Sequence, residues 1–245
     1  MTRVADLKVK IFADGADLQG IIEMSKKPFI KGFTTNPTLM RKAGITNYET
    51  FARRVLEVVP DRPVSFEVFA DDFDEMIAQA RVIASWGKNV NVKVPITDTK
   101  GAFAGRVIHT LSSEGVVVNV TAVMTVQQVA DVAESLDAKT PAIVSVFAGR
   151  IADTGIDPVP HMQSCLAALQ SRPAAQLLWA SPRELLNVFQ ADDVGCHIIT
   201  VTNDVLAKLG LVGKDLDEYS CETVQMFYRD ASASGYTIRV PAQAA

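Results

Sequence analysis

The chain is expected to be an α/β protein, a single (β/α)8 TIM barrel over residues 1–245 with an additional C-terminal helix at about 213–232. Three observations point there. Eight short β-branched or apolar runs recur along the chain, segments with helical spacing separate them, and no linker or low-complexity stretch interrupts the series.

The runs lie at 9–13, 30–33, 64–69, 90–94, 116–120, 142–147, 176–179 and 197–201. Of the segments between them, 71–86 is the clearest helix, with Phe73, Met76, Ile77, Ala80 and Ala84 on one face. Thr125 and Gln128 have capping-box spacing, and Ser181, Pro182 and Glu184 read as a cap, a first-turn proline and a reciprocal acid. Gly44, Gly87, Gly115 and Gly210 read as helix or turn stops, Gly115 closing a helix expected over 99–114. A doubly wound open sheet is the alternative. Its usual glycine-rich dinucleotide turn is missing, because the first strand runs into ADGADLQG, which does not fit GxGxxG.

Composition removes several function classes. Hydrophobic residues make up 48% and charged residues 21%, ordinary for a globular protein. A net charge of −4 and the lack of any basic stripe argue against nucleic acid as a partner. No apolar stretch is long enough to span a bilayer and MTRVADLKVK lacks the features of a signal peptide, so a cytoplasmic protein with no membrane partner is expected. Cys165, Cys196 and Cys221 are widely spaced without CxxC, and His109, His161 and His197 are scattered. Neither a disulfide framework nor a metal site is expected, and no cofactor.

Within NVNVKVPIT (89–97), Lys93 sits in an apolar, β-branched run. Lysine is rarely buried unless it is paired or used. Burial disfavours the ammonium form, leaving an amine able to attack a carbonyl, so Lys93 is a candidate Schiff-base lysine. The ordinary alternative is a structural lysine whose stem lies along apolar surface.

A barrel places its active site at the C-terminal ends of the strands. The polar residues expected there are Asp14, then Thr34, Thr35 and Asn36, Glu67, Lys93, Asn119 with Thr121, Ser145 with Arg150, Ser181 with Arg183, and Thr202 with Asn203. Each has a plainer explanation: Asp14 and Asn36 as turn or cap residues, Ser181 as a cap, the arginines as surface ion pairs. Glu67 is harder to dismiss, since an unpaired carboxylate inside a strand is costly. Facing Lys93, it would form either a structural ion pair or an acid/base couple.

Seven segments, FADGAD (12–17), GFTTNPTLM (32–40), SFEVFAD (65–71), NVKVP (91–95), NVTAVMT (119–125), SVFAGRIAD (145–153) and ASPR (180–183), occur in an order that resembles the transaldolase and fructose-6-phosphate aldolase family. The resemblance implies that Lys93 forms the Schiff base and that Asp14 is the general acid/base at the scissile hydroxyl. It implies that Glu67 and Thr121 hold a catalytic water. By the same resemblance Asn36, Asn119 and Ser145 hold the dihydroxyacetone unit, Thr34 lines the pocket, and Arg150, Ser181 and Arg183 bind phosphate. The partners implied are small-molecule sugar phosphates.

Aldolase members typically carry glutamine at the place of Glu67 and a proton-transferring tyrosine at the place of Phe147. In both positions the chain is similar to transaldolases, so transfer of a dihydroxyacetone unit is expected over free aldol cleavage or a non-catalytic sugar-phosphate-binding barrel. Pro182 stands where many members have phenylalanine. Compact members assemble as rings or paired rings, so a homo-oligomer, as a pentamer or decamer, is the matching expectation. Leu216, Tyr219, Thr223, Met226 and Phe227 at helical spacing would supply an apolar face for packing on a neighbour. A monomer mass by light scattering at micromolar concentration would contradict it.

Overall fold

The computed structural model describes residues 4–240. Eight parallel strands close in sequential order into one barrel: β1 (Lys10–Asp14), β2 (Ile30–Thr34), β3 (Val64–Glu67), β4 (Val90–Pro95), β5 (Val118–Val123), β6 (Ala142–Val146), β7 (Ala175–Trp179) and β8 (Ile198–Thr202). The connections carry α1 (Leu18–Ser25), α2 (Pro37–Lys42), α3 (Tyr48–Val58), α4 (Phe73–Ala84), α5 (Gly105–Ser113), α6 (Val126–Ser135), α7 (Ala148–Asp153), α8 (Pro158–Ala168) and α9 (Leu186–Val194), and α10 (Asn203–Leu206) follows β8.

Near-continuous apolar runs suit strands covered on both faces. Outward side chains such as Val92, Val94, Val118 and Val120 pack in one core with Ala80, Val107, Leu111, Val129 and Val132 of the surrounding helices, all fully buried. Inside the barrel Phe12, Ile143, Leu178, Ala180 and Ile198 form a second apolar cluster. Phe12 reaches across to Gly32, where a Cβ would lie 2.5 Å from its ring, so the glycine makes room for the aromatic.

Local signals set most helix starts. Asp72 caps α4 by accepting from the amides of Asp74 and Glu75, and Thr125 with Gln128 forms the expected reciprocal box on α6. Each such cap stabilises by about 1 kcal/mol. The buried face of α4 is Met76, Ile77, Ala80 and Ile83, with Phe73 and Ala84 half-buried.

Three sequence expectations are corrected. β3 ends at Glu67, short of Phe69, because the amides of Phe69 and Ala70 leave the ladder and donate to Gln79 Oε1. The helix expected over 99–114 begins only at Gly105, since Thr97 and Phe103 form an antiparallel bridge before it. Gly210 lies within the 3-10 segment Ala207–Leu211 and ends no α-helix.

The chain divides into two compact units, the barrel ending at Leu209 and a C-terminal unit beginning at Gly210. The second contains α11 (Leu216–Ser234), capped by Asp215, which accepts from Glu218 N. Lys214 pairs with Glu222 and lies over the Tyr219 ring. No residue of α11 is buried, and Leu216, Val224, Phe227 and Tyr228 are among its exposed large side chains. Among the described residues no helix is long and apolar enough to cross a membrane, and no three His, Cys, Asp or Glu side chains gather as a metal site. Cys165 and Cys196 are buried, and burial pushes their thiols up to about 11 and about 12.

Candidate active site

All the candidate residues read from the strand ends, from Asp14 and Thr34 through Lys93 to Ser181 and Arg183, line one cavity of about 710 Å³, apart from Thr35 and Asn203. The parallel register explains the convergence. Glu67 lies beside Lys93, Lys93 beside Asn119, and Asp14 beside both Thr34 and Thr202, so consecutive strands deliver their polar residues at one level.

Lys93 is 7% exposed. Its Nζ lies 3.1 Å from Glu67 Oε2 and donates to the Thr35 carbonyl at 2.9 Å. Two acceptors therefore fix the amine at the cavity floor. Glu67, with a side chain 16% exposed, shares this low-dielectric setting, where an ion pair left without one partner would be strongly destabilising.

Asp14 Oδ1 accepts from Thr34 Oγ1 at 2.7 Å, and Thr34 Oγ1 lies 2.5 Å from Thr200 Oγ1. With the Thr34 proton committed to the carboxylate, Thr200 is the donor of the second bond. Burial raises the Asp14 carboxyl above its ordinary range. The Lys93 charge and the Thr34 hydrogen bond oppose that rise, and the Glu67 charge adds to it.

On the opposite wall, Ser145 Oγ donates to Asn119 Oδ1 at 2.6 Å while Asn119 Nδ2 donates to Ser65 Oγ at 3.1 Å. This run of hydrogen bonds orients the Asn119 amide. Thr121 is buried and lines the cavity beside these groups. Asn36 Oδ1 caps α2 by accepting from Leu39 N, which leaves its amide nitrogen as the group available to a ligand.

On the cationic side Arg150, Ser181 and Arg183 all line the cavity, and the two arginines have different neighbours. Arg183 forms a two-pronged ion pair with Asp153, holding that carboxyl below its usual range. Arg150 has no ion-pair partner among the described residues, and its guanidinium lies 5.6 Å from the Phe147 ring centroid. Ser181 caps no helix, because α9 starts at Leu186. The helix has no side-chain cap at all; from within its first turn Asn187 Oδ1 instead accepts from the amides of Arg183 and Glu184 in the loop before it. Ser181 is in left-handed backbone with φ 60°, and its carbonyl rests against Gly149, where a Cβ would lie only 1.6 Å away. No larger residue fits at 149 unless that carbonyl moves.

Sequence reasoning missed several cavity residues. Thr200 stands two residues before Thr202 on the same strand face, so period-two reading could have found it. Lys42 and Asp204 line the mouth from α2 and α10 with no sequence signal of comparable clarity.

An amine beside a carboxylate, a desolvated aspartate, aligned amides and hydroxyls, and a guanidinium beside the Phe147 ring make a site able to bind and react with a polyhydroxylated carbonyl compound. The profile of the Transaldolase/Fructose-6-phosphate aldolase family matches residues 11–238. "Probable transaldolase 2" of Listeria monocytogenes is 34% identical over 203 residues, covering 82% of this chain and 88% of that protein. "Probable transaldolase" of Dehalococcoides mccartyi is 36% identical, covering 82% and 90%. The fold alone is shared with thiamine phosphate pyrophosphorylase from Pyrococcus furiosus, at a TM-score of 0.54 and 9% identity over 80% of this chain and 86% of that one. With a barrel of this kind, a polar cavity at its strand ends and a family match over nearly the whole chain, the protein belongs to the transaldolase/fructose-6-phosphate aldolase family.

Proposed function

We propose that the protein is a Schiff-base transaldolase, moving a dihydroxyacetone unit from a ketose phosphate such as sedoheptulose 7-phosphate or fructose 6-phosphate to an aldose phosphate. The observation that carries this reading is the Lys93 amine at the cavity floor, held between the Glu67 carboxylate and the Thr35 carbonyl. The names of the relatives, each a probable transaldolase, support it.

In this reading the Lys93 nitrogen adds to C2 of the ketose, the carbinol oxygen leaves as water, and the imine so formed carries a proton on its nitrogen. Glu67 and Thr121 hold the water that passes protons in imine formation and hydrolysis. Asp14 then takes the proton of the C4 hydroxyl. The C3–C4 bond breaks, its electron pair enters the imine as a neutral enamine, and an aldose departs. The enamine adds to the acceptor aldehyde, Asp14 returns its proton to the new alkoxide, and water hydrolyses the imine.

Asn36, Asn119 and Ser145 bind the hydroxyls of the transferred unit. The phosphate is held chiefly by Arg150, since Arg183 is already paired with Asp153. The exposed apolar side chains of α11 support the homo-oligomer.

Transfer is preferred over aldol cleavage because Phe147 brings no hydroxyl to the cavity, leaving proton transfer at the imine to Glu67. Incubation of fructose 6-phosphate is expected to release dihydroxyacetone at a small fraction of the rate at which an added aldose phosphate is converted. Equal rates with and without acceptor would favour an aldolase instead.

A further inference from the structure

The strand that carries Glu67 is the least supported in the barrel. β3 has four residues, and on its β2 side it pairs only through Val64 and Ser65. The last backbone bond on that side runs from Thr35 N to Ser65 O at 3.2 Å. Glu67 thus projects beyond the end of the β2 ladder, with its amide and carbonyl facing a place where no strand stands.

The Tyr48 hydroxyl occupies that place. It accepts from Glu67 N at 2.7 Å and donates to Glu67 O at 3.0 Å, doing with one oxygen what a paired strand residue would do. Leaving such a backbone pair unsatisfied in a partly buried setting is costly. The ring packs among aromatic neighbours, Phe66 and Trp86 edge-on, with centroids at 6.1 and 5.4 Å, and Phe69 tilted at 4.6 Å. Asn47 caps α3 one residue earlier by accepting from Thr50 N, which sets the helix start that presents the ring. The phenol is held well above its ordinary pKa, chiefly by burial, so it keeps the proton it donates.

We infer that Tyr48 is a positioning residue for the Glu67 carboxylate, setting its distance to Lys93 Nζ through the paired hydrogen bonds to the Glu67 backbone. Tyr48 does not line the cavity and touches no reacting atom. The inference rests on the proposed role of Glu67 in proton transfer at Lys93. It adds a residue from α3, outside every strand end, to the machinery of that step.

The test compares Tyr48→Phe, Glu67→Gln and Trp86→Phe by single-turnover borohydride trapping of the imine with fructose 6-phosphate, alongside steady-state rates. Tyr48→Phe keeps the ring among its neighbours and removes only the oxygen. Its imine-formation rate is expected to fall about ten- to a hundredfold with little change in KM. In a Glu67→Gln background the same substitution should cost little more, because both act on one step. Trp86→Phe loosens the same aromatic cluster without touching the Glu67 backbone. It should retain the wild-type imine rate and serves as the control for packing.

Impaired Glu67→Gln with wild-type Tyr48→Phe overturns the inference while leaving the reading of Glu67 intact. Wild-type kinetics in Glu67→Gln would remove both together. Equal slowing in Trp86→Phe and Tyr48→Phe would assign the effect to packing and also overturn it. Far-ultraviolet dichroism establishes that each variant is folded before rates are compared.

Discussion

Lys93→Arg is expected to lower turnover by on the order of 10⁴-fold or more, the scale seen when a covalent nucleophile is removed from its catalytic unit. Arginine keeps a positive charge beside Glu67 and so preserves the ion pair, but its guanidinium is not a nucleophile near neutral pH. The comparison therefore separates chemistry from stability. Lys93→Met would strand a largely buried carboxylate and cost about 3–5 kcal/mol in a pair of this kind. Borohydride reduction in the presence of fructose 6-phosphate should leave an adduct on the peptide containing Lys93 in the wild type and none in Lys93→Arg. An adduct mapping to another lysine, or activity surviving in the arginine variant, would refute the covalent role.

Asp14→Asn is expected to reduce turnover by about 10²–10⁴-fold, the usual contribution of a general acid/base. Its pH signature is more specific. Burial lifts the Asp14 carboxyl, and cleavage requires the ionised form to take the hydroxyl proton. The acid limb of kcat/KM should consequently lie above the ordinary aspartate value of about 3.9, and the asparagine variant should lack that limb. Stability should move the other way. For a carboxyl raised in the folded state, the stabilisation is present below the unfolded pKa and is lost as pH rises through the folded one. Asp14→Asn, which cannot ionise, is expected to melt no lower than the wild type at neutral pH and above. A clear loss of thermal stability in that range would show that the ionised Asp14 is instead held favourably by Lys93.

Two opposing demands meet at this cavity floor. The Lys93 and Glu67 pair tolerates burial because each supplies the other's countercharge, whereas Asp14 has a hydrogen bond from Thr34 and a more distant share of the same cation. A desolvated carboxylate is poorly placed for stability and well placed to accept a proton, the exchange of stability for reactivity expected at functional sites.

The order of strands and helices was legible in the chain because its determinants are local. Val-rich runs such as 90–94, the Thr125 and Gln128 box and the apolar face of α4 each act within a few residues, and parallel strands alternating with helices close in few ways. Convergence of Asp14, Glu67, Lys93 and Asn119 was legible for the same reason, since residues at the ends of parallel strands share a level once the barrel closes. What only the tertiary structure decided were partners across long separations. The Thr35 carbonyl on Lys93, the Asp153 carboxylate on Arg183, the displacement of Ser181 from its expected cap and the Tyr48 hydroxyl on Glu67 all depend on strand register and side-chain direction between distant segments. Spacing along the chain carries no record of those distances. Hydrogen bonds, by contrast, change over tenths of an ångström, which is why the sequence by itself determined the barrel and the residues at its mouth while the packed structure determined which of them are held, paired or left available.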